Sequence, residues 1–420
     1  MSVKFPLTFM LLLLALIHNV EASDEFQQLY DSAKKHKSIP LAELSLKSAK
    51  SLENDELIAR AYFLIAYYQK NERMYYESLN NYFSALEYYG KAGNHKRYMD
   101  TLHGIGNLYA KGGFLKEAMD FYQEGIVLAK REKDIDRELS LRYQLAKTYR
   151  MNEEYDSATN MYQSLMPTLI KLKKEHLMSQ CYLEMGYIVS IIGLGYDTAN
   201  FFYTKAIEAY STNSKDLSIA EIKKKYSLAY VNNKNGEYKN AKKLLLSALA
   251  QANESTYDPE MMVDIYSNLG DAYEYLGVTD SAIMMYKQVL DYIDVEDFDF
   301  NYVWNAKLLY DYCKKFDLEE SKACSKVIYD FTDEVVEFKD KLVEANIHYQ
   351  VRAANYHREN ELLYTQRQNN RELINLMIFL ALGLVIFSGL VFYLYERKRR
   401  IEKWRKVLKE LTIKPRFTKN

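Results

Sequence analysis

Small residues recur along this chain at a fixed interval. They come as triplets with gaps of 12 and 7: Ala66/Ser78/Ala85, Gly106/Ala118/Gly125 and Ala146/Ala158/Leu165. Gly186/Ala199/Ala206 follows with a first gap of 13, then Ala229/Ala241/Ala248, Gly270/Ala282/Val289 and a worn Leu309/Ser321/Ile328. Successive triplets start 40, 40, 40, 43, 41 and 39 residues apart. A unit of this length cannot bury its apolar face alone and must stack on its neighbours. Small residues at fixed places within it mark points where helices cross closely. Tyr82, Tyr122 and Tyr162 stand 40 apart, and Tyr203 and Tyr286 hold equivalent places beside the small residues. Turn signals separate the expected helices at Gly112-Gly113, Asn152-Glu153-Glu154, Asn235-Gly236-Glu237 and Gly277. The expectation is an all-α solenoid of antiparallel helix pairs. The scarcity of Pro, at 5 residues, agrees with it, and 39 Tyr suit positions that are half core and half surface.

Two apolar stretches flank the repeats. Residues 1–22 have a basic start at Lys4, a short apolar run from Phe5 to Ile17 and a small-residue cleavage pattern ending at Ala22. This reads as a signal peptide, with an uncleaved anchor as the alternative. Residues 373–395 carry no charge, and 23 residues of helix reach about 35 Å, enough to span a bilayer core of about 30 Å. Tyr393 and Tyr395 suit an interfacial belt. The fifteen residues before the run hold three basic side chains and the fifteen after it hold eight. The excess places the tail in the cytoplasm. The expected order is signal peptide 1–22, periplasmic solenoid 23–330, linker helix 331–372, transmembrane helix 373–395 and cytoplasmic tail 396–420, in the inner membrane.

The linker from Asp330 to Arg371 has no Pro or Gly and reads as one helix. Val335, Phe338, Leu342, Ala345 and Tyr349 form an apolar stripe suited to packing on the last repeat. Its second half is polar, which argues against a continuous tight coiled coil. The tail carries a net charge of +8, against −9 for the rest of the chain. Arg397, Lys398, Arg399, Arg400, Lys403 and Trp404 suit an anionic membrane surface. The mildly acidic body argues against nucleic-acid binding.

"IGNLYAKGGFLKEAMDFYQEGI" at 105–126 and "LGDAYEYLGVTDSAIMMYKQVL" at 269–290 resemble the tetratricopeptide repeat. The resemblance covers about residues 24–330, with 24–52 as a leading helical pair and 301–330 as a terminal repeat. The longer period is similar to long-helix variants in bacterial regulators. The family's helix A lines a concave face. Carried over, this implies a groove of Phe63, Tyr67, Lys70, His103, Asn107, Lys111, Tyr143, Lys147, Arg150, Tyr226, Tyr230 and Lys234. Aromatic and basic side chains together suit an extended peptide.

No catalytic or metal chemistry emerges. Seven histidines are scattered without ligand spacing, and Cys181, Cys313 and Cys324 lack C-x-x-C spacing, so buried thiols are expected. "GIGNLY" at 104–109 lacks a third Gly and a preceding strand, so its glycines serve packing. "DVEDFDF" at 294–300 lacks a calcium-loop pattern and reads as a solvated linker. No cofactor is expected. The order of segments resembles Gram-negative membrane regulators with a periplasmic repeat sensor. That resemblance implies a non-enzymatic interaction module with a protein or peptide partner outside and a regulatory partner inside. A scaffold for envelope assembly and a regulator that has lost its output domain are the alternatives.

Overall fold

The computed structural model describes residues 23–72, 74–210, 215–255, 259–292, 339–347 and 349–351, with isolated positions elsewhere between 326 and 399. The chain divides into two units, Met1–Ile347 and His348–Asn420. Within the first, the continuous described stretches form helices α1 (23–36), α2 (Ile39–Ser51), α3 (Asp55–Asn71), α4 (Tyr75–Ala92), α5 (His95–Lys111), α6 (Leu115–Glu132) and α7 (Ile135–Met151). They continue as α8 (Tyr155–Lys171), α9 (Glu175–Ile192), α10 (Tyr196–Glu208), α11 (Lys215–Lys234), α12 (Tyr238–Ser255), α13 (Pro259–Tyr275) and α14 (Thr279–Tyr292). The pair α1/α2 leads. The pairs from α3/α4 to α13/α14 are repeats 1 to 6, each with a helix A and a helix B.

The small residues do what their spacing implies. Where the first of the triplet is glycine, it faces the helix-B tyrosine of its own repeat. A Cβ on Gly106 would stand 2.5 Å from Tyr122 Cε1, and one on Gly186 would stand 2.8 Å from Tyr203 Cε1. Gly270 meets Tyr286 in the same way. Ser78 adds a hydrogen bond, donating from Oγ to the Ala66 carbonyl at 2.7 Å. The third small residue admits the next repeat, since a Cβ on Gly125 would stand 2.8 Å from Leu141 Cδ1. Tyr82, Tyr122, Tyr162, Tyr203 and Tyr286 are all fully buried. Each thus contributes a large apolar area to the core.

The turns follow one local recipe. Asn54, Asn94 and Asp134 cap α3, α5 and α7, each side chain accepting a backbone N–H three residues on. The residue before each of these caps is in the left-handed region: Glu53, Gly93 and Lys133. Between helices A and B the same conformation falls at Gly113, Glu153, Gly193, Gly236 and Gly277. Successive A helices from α5 onward also touch one another, and no comparable contact joins successive B helices. The A helices therefore make the inner layer of the stack.

Leu342 and Ala345 of the linker are fully buried, while Val336, Val343 and Ile347 are exposed. The Lys341 ammonium is raised by its hydrogen bond to Glu337 and also by Glu77 at the start of α4. Residues 339–347 belong to the same unit as the repeats. The sequence expectation seats it on the terminal repeat, whose residues 301–330 lie outside the described residues apart from Lys326. Among the described residues no helix is long and apolar enough to cross a membrane. The leader at 1–22 and the acidic stretch at 294–300 lie outside the described residues, as does the run at 373–395 apart from four positions. Of these four, Met377, Phe392 and Tyr395 are helical and exposed.

Candidate functional site

The inner layer gathers the groove residues into two clusters and a chain of side chains that continues toward repeat 6. In repeats 1 and 2, Tyr67 is exposed and Lys70 lies over its ring at 5.3 Å. Lys111 lies over Tyr75 at 4.8 Å. Phe63 leans inward instead, edge-on to Tyr82 at 5.5 Å, and so ties the face to the core. Asn107 accepts the Tyr122 hydroxyl on Oδ1 at 2.7 Å. His103 is half-buried with Nε2 unpartnered. Burial lowers its pKa, and Lys70 adds to this while Asp100 opposes it, so the imidazole is neutral at neutral pH.

Beside His103 lies a shallow cavity of about 260 Å³, lined also by Met99, Asp100, Asp136, Arg137, Ser140 and Leu141. Its charges are satisfied. Arg137 grips Asp100 from Nε at 2.7 Å and Nη2 at 3.1 Å, and Nη1 reaches Asp134 at 2.8 Å. This clamp joins the A helices of repeats 2 and 3.

The second cluster spans repeats 3 and 4. Arg150 Nε approaches Glu184 Oε2 to 2.6 Å, with side chains only 12% and 17% exposed. The N–H is not aligned on that oxygen, so the pair is electrostatic rather than a directed hydrogen bond. Burial alone would raise the Glu184 carboxyl. Arg150 outweighs it, with Lys147 and Lys223 behind, and holds the group below the usual range. Tyr143 is buried, and its hydroxyl also reaches Glu184. The Arg150 guanidinium lies 4.9 Å from the centre of the exposed Tyr187 ring. Burial pushes the Tyr187 phenol up to about 12, with Asp264, Glu184 and Tyr230 adding to this and Arg150 opposing it. Further along, Lys234 lies over Tyr230 at 5.3 Å, and Tyr226 packs beside the core of repeats 5 and 6.

Glu184 and Tyr187 are absent from the sequence-derived groove. Tyr187 follows Gly186 as Tyr67 follows Ala66, Asn107 follows Gly106 and Lys147 follows Ala146. The one-residue rule finds it, although the 13-residue gap makes this triplet irregular. Cys181 is buried, and burial pushes its thiol up to about 12, as an inert core residue requires. Cys313 and Cys324 lie outside the described residues. Of the expected membrane-surface residues, Arg397, Lys398 and Arg399 are helical and exposed; Arg400, Lys403 and Trp404 lie outside the described residues. Among the described residues no group of His, Cys, Asp and Glu is arranged to hold a metal ion.

Residues 221–292 match the tetratricopeptide repeat family. No curated protein matches the chain. Among solved structures the chain is similar to a Rap protein complexed with competence and sporulation factor. That likeness has a TM-score of 0.50 at 15% identity and covers 76% of this chain and 85% of that one. It is similar also to the apo form of the quorum sensor NprR from B. thuringiensis, with a TM-score of 0.47 at 13% identity, covering 66% and 88%. A third is a tetratricopeptide repeat protein from Parabacteroides merdae, with a TM-score of 0.43 at 14% identity, covering 68% and 98%. The helix pairs, the crossing points and the family match agree: the chain is a tetratricopeptide-repeat-like helical solenoid protein.

Proposed function

We propose that this chain is a non-enzymatic interaction module, anchored by residues 373–395, whose inner face holds an extended protein or peptide segment outside the inner membrane. One observation carries the reading. The residue after the first small position of each repeat is exposed or half-buried on helix A: Tyr67, Asn107, Lys147, Tyr187, Tyr230 and Asp271. Packed helices stand about 8–10 Å apart, and an extended chain advances about 3.3 Å per residue. The face therefore offers about one aromatic or polar side chain per three residues of an extended ligand. This suits recognition by stacking and charge-assisted hydrogen bonds, with no bond made or broken. The Rap protein of the same fold is complexed with competence and sporulation factor, which supports a binding role. Exposed Met377 and Phe392 within an uncharged run support the anchor. The charge excess after it supports a cytoplasmic tail, suited to passing the binding event to a regulatory partner.

Crosslinking capture of the full chain from membranes tests this. A partner recovered with the native chain is expected to be lost when Tyr67 and Tyr187 are both replaced by Ala. Equal recovery by that variant would move the binding surface elsewhere. A reporter fused after Asn420 is expected to be active in the cytoplasm, and activity confined to the periplasm overturns the topology.

A further inference from the structure

The turns that join helix B of one repeat to helix A of the next lie side by side along one edge of the stack. His95 in the first turn meets Glu132 in the second at 2.8 Å, and Asp136 in the second meets Lys174 in the third at 2.7 Å. Antiparallel pairing puts the turns between helices A and B at the opposite edge. The two edges of repeats 1 to 3 differ in charge. Residues 91–97, 130–137 and 171–176 hold ten basic and four acidic side chains, a net charge of +6. Residues 70–77, 111–117 and 150–156 hold five basic and six acidic ones, a net charge of −1.

Three of the four acidic side chains on the basic edge are satisfied within it. Glu132 pairs with His95 and Arg131, Asp134 with Arg137, and Asp136 with Lys174. Lys130, Lys133, Lys171 and Lys173 are exposed and have no carboxylate partner among the described residues. Three exposed aliphatic side chains, Ile135, Ile170 and Leu172, lie among them. Lys133 and Lys173 also have left-handed backbone, at φ 57° and 52°, where Gly93 stands in the preceding turn. Glycine adopts this conformation without strain, so folding alone favours glycine at both places. Lysine instead sets a cation at the tip of each turn.

We propose that this edge docks on an anionic lipid bilayer, with the lysines at the lipid phosphates and Ile135, Ile170 and Leu172 among the headgroups. The net charge selects an anionic partner. The scattered aliphatic side chains select a lipid surface, which accepts them at any register, over a protein, which needs a matching pocket for each. Lysine stems lie along such an apolar layer and keep their ammoniums at its polar boundary. The helices run from this edge to the other, so docking here leaves the inner face open. Neither the inner groove nor the span at 373–395 takes part in the contact.

The test uses the full chain carrying p-benzoylphenylalanine at Leu172, or at the exposed Val278 on the opposite edge. It is reconstituted with vesicles of phosphatidylcholine alone or of equal parts phosphatidylcholine and phosphatidylglycerol, and lipid adducts are read by mass spectrometry. Adducts at position 172 are expected to rise several-fold with phosphatidylglycerol and to fall back in high salt, while those at 278 stay low. A lysine near an anionic surface contributes about fivefold in binding, so Lys171→Gln is expected to lower the rise by about that factor. Lys133→Gly with Lys173→Gly is expected to remove most of the rise while the thermal midpoint holds or climbs, which separates lipid contact from folding. Equal adducts in the two vesicles, equal adducts at 172 and 278, or an undiminished rise in either variant overturns the proposal. So do adducts in native membranes that join position 172 to protein alone. Flotation of the chain with phosphatidylcholine vesicles reports separately on the span, so failure of the anchor is not mistaken for failure of the edge.

Discussion

At the residue scale the fold depends on contacts between glycine and tyrosine. Helix propensity favours Ala over Gly by about 1 kcal/mol, yet the site decides the sign. A Cβ at position 90 would meet Tyr98 at an ordinary 3.6 Å. Gly90→Ala is expected to stabilise by about 0.5–1 kcal/mol. At position 106 the new carbon would meet the buried Tyr122 ring at 2.5 Å. Gly106→Ala is expected to destabilise by about 1–3 kcal/mol through overpacking. Urea unfolding of both variants checks the contrast. These contacts were legible from spacing alone, because only close crossings demand small residues at fixed intervals.

His103 gives a pH prediction at the same scale. Its folded pKa is lowered from 6.5, so the folded state binds fewer protons than the unfolded chain. Its contribution is present above pH 6.5 and is lost as pH falls below it. His103→Asn is expected to flatten the thermal midpoint between neutral and mildly acidic pH, and a variant with the native slope contradicts this. The Arg150–Glu184 pair behaves differently. Glu184→Ala leaves a buried guanidinium uncompensated and is expected to cost about 3–5 kcal/mol, whereas Arg150→Met with Glu184→Gln costs much less. A double-mutant cycle on denaturant unfolding reads the difference. Neither member of this pair could be matched to the other from sequence, because the partners lie on different repeats with no periodic relation between them.

At the element scale the helix boundaries combine a cap with a left-handed residue. Asn54, Asn94 and Asp134 stand 40 apart, a signal as regular as the small triplets. The turns containing glycine were legible. Those at Lys133 and Lys173 were not, because lysine carries no turn signal, yet both have positive φ. An L-residue in that region costs about 1–2 kcal/mol relative to its right-handed state. Lys133→Gly is expected to raise stability by up to about 1 kcal/mol, part of the gain being offset by the freer unfolded chain. A lowered thermal midpoint would show that the Lys133 side chain contributes contacts of its own.

At the scale of the whole molecule, the repeats make a continuous inner layer from side chains set one residue after each small position. That rule was legible in the sequence and names Tyr187 as well as Tyr67. Basic residues of the groove lie on helices A of repeats 1, 2, 3 and 5 as Lys70, Lys111, Lys147, Arg150 and Lys234.

The central claim is that the inner face, and not the outer, engages a partner. Photo-crosslinking in native membranes reads it most directly, with p-benzoylphenylalanine at Tyr67 or Tyr187 inside and at Phe201 on α10 outside. All three native side chains are exposed, so the label is accessible at each. The account predicts partner adducts at positions 67 and 187 and none above background at 201. Adducts at 201 alone would contradict it.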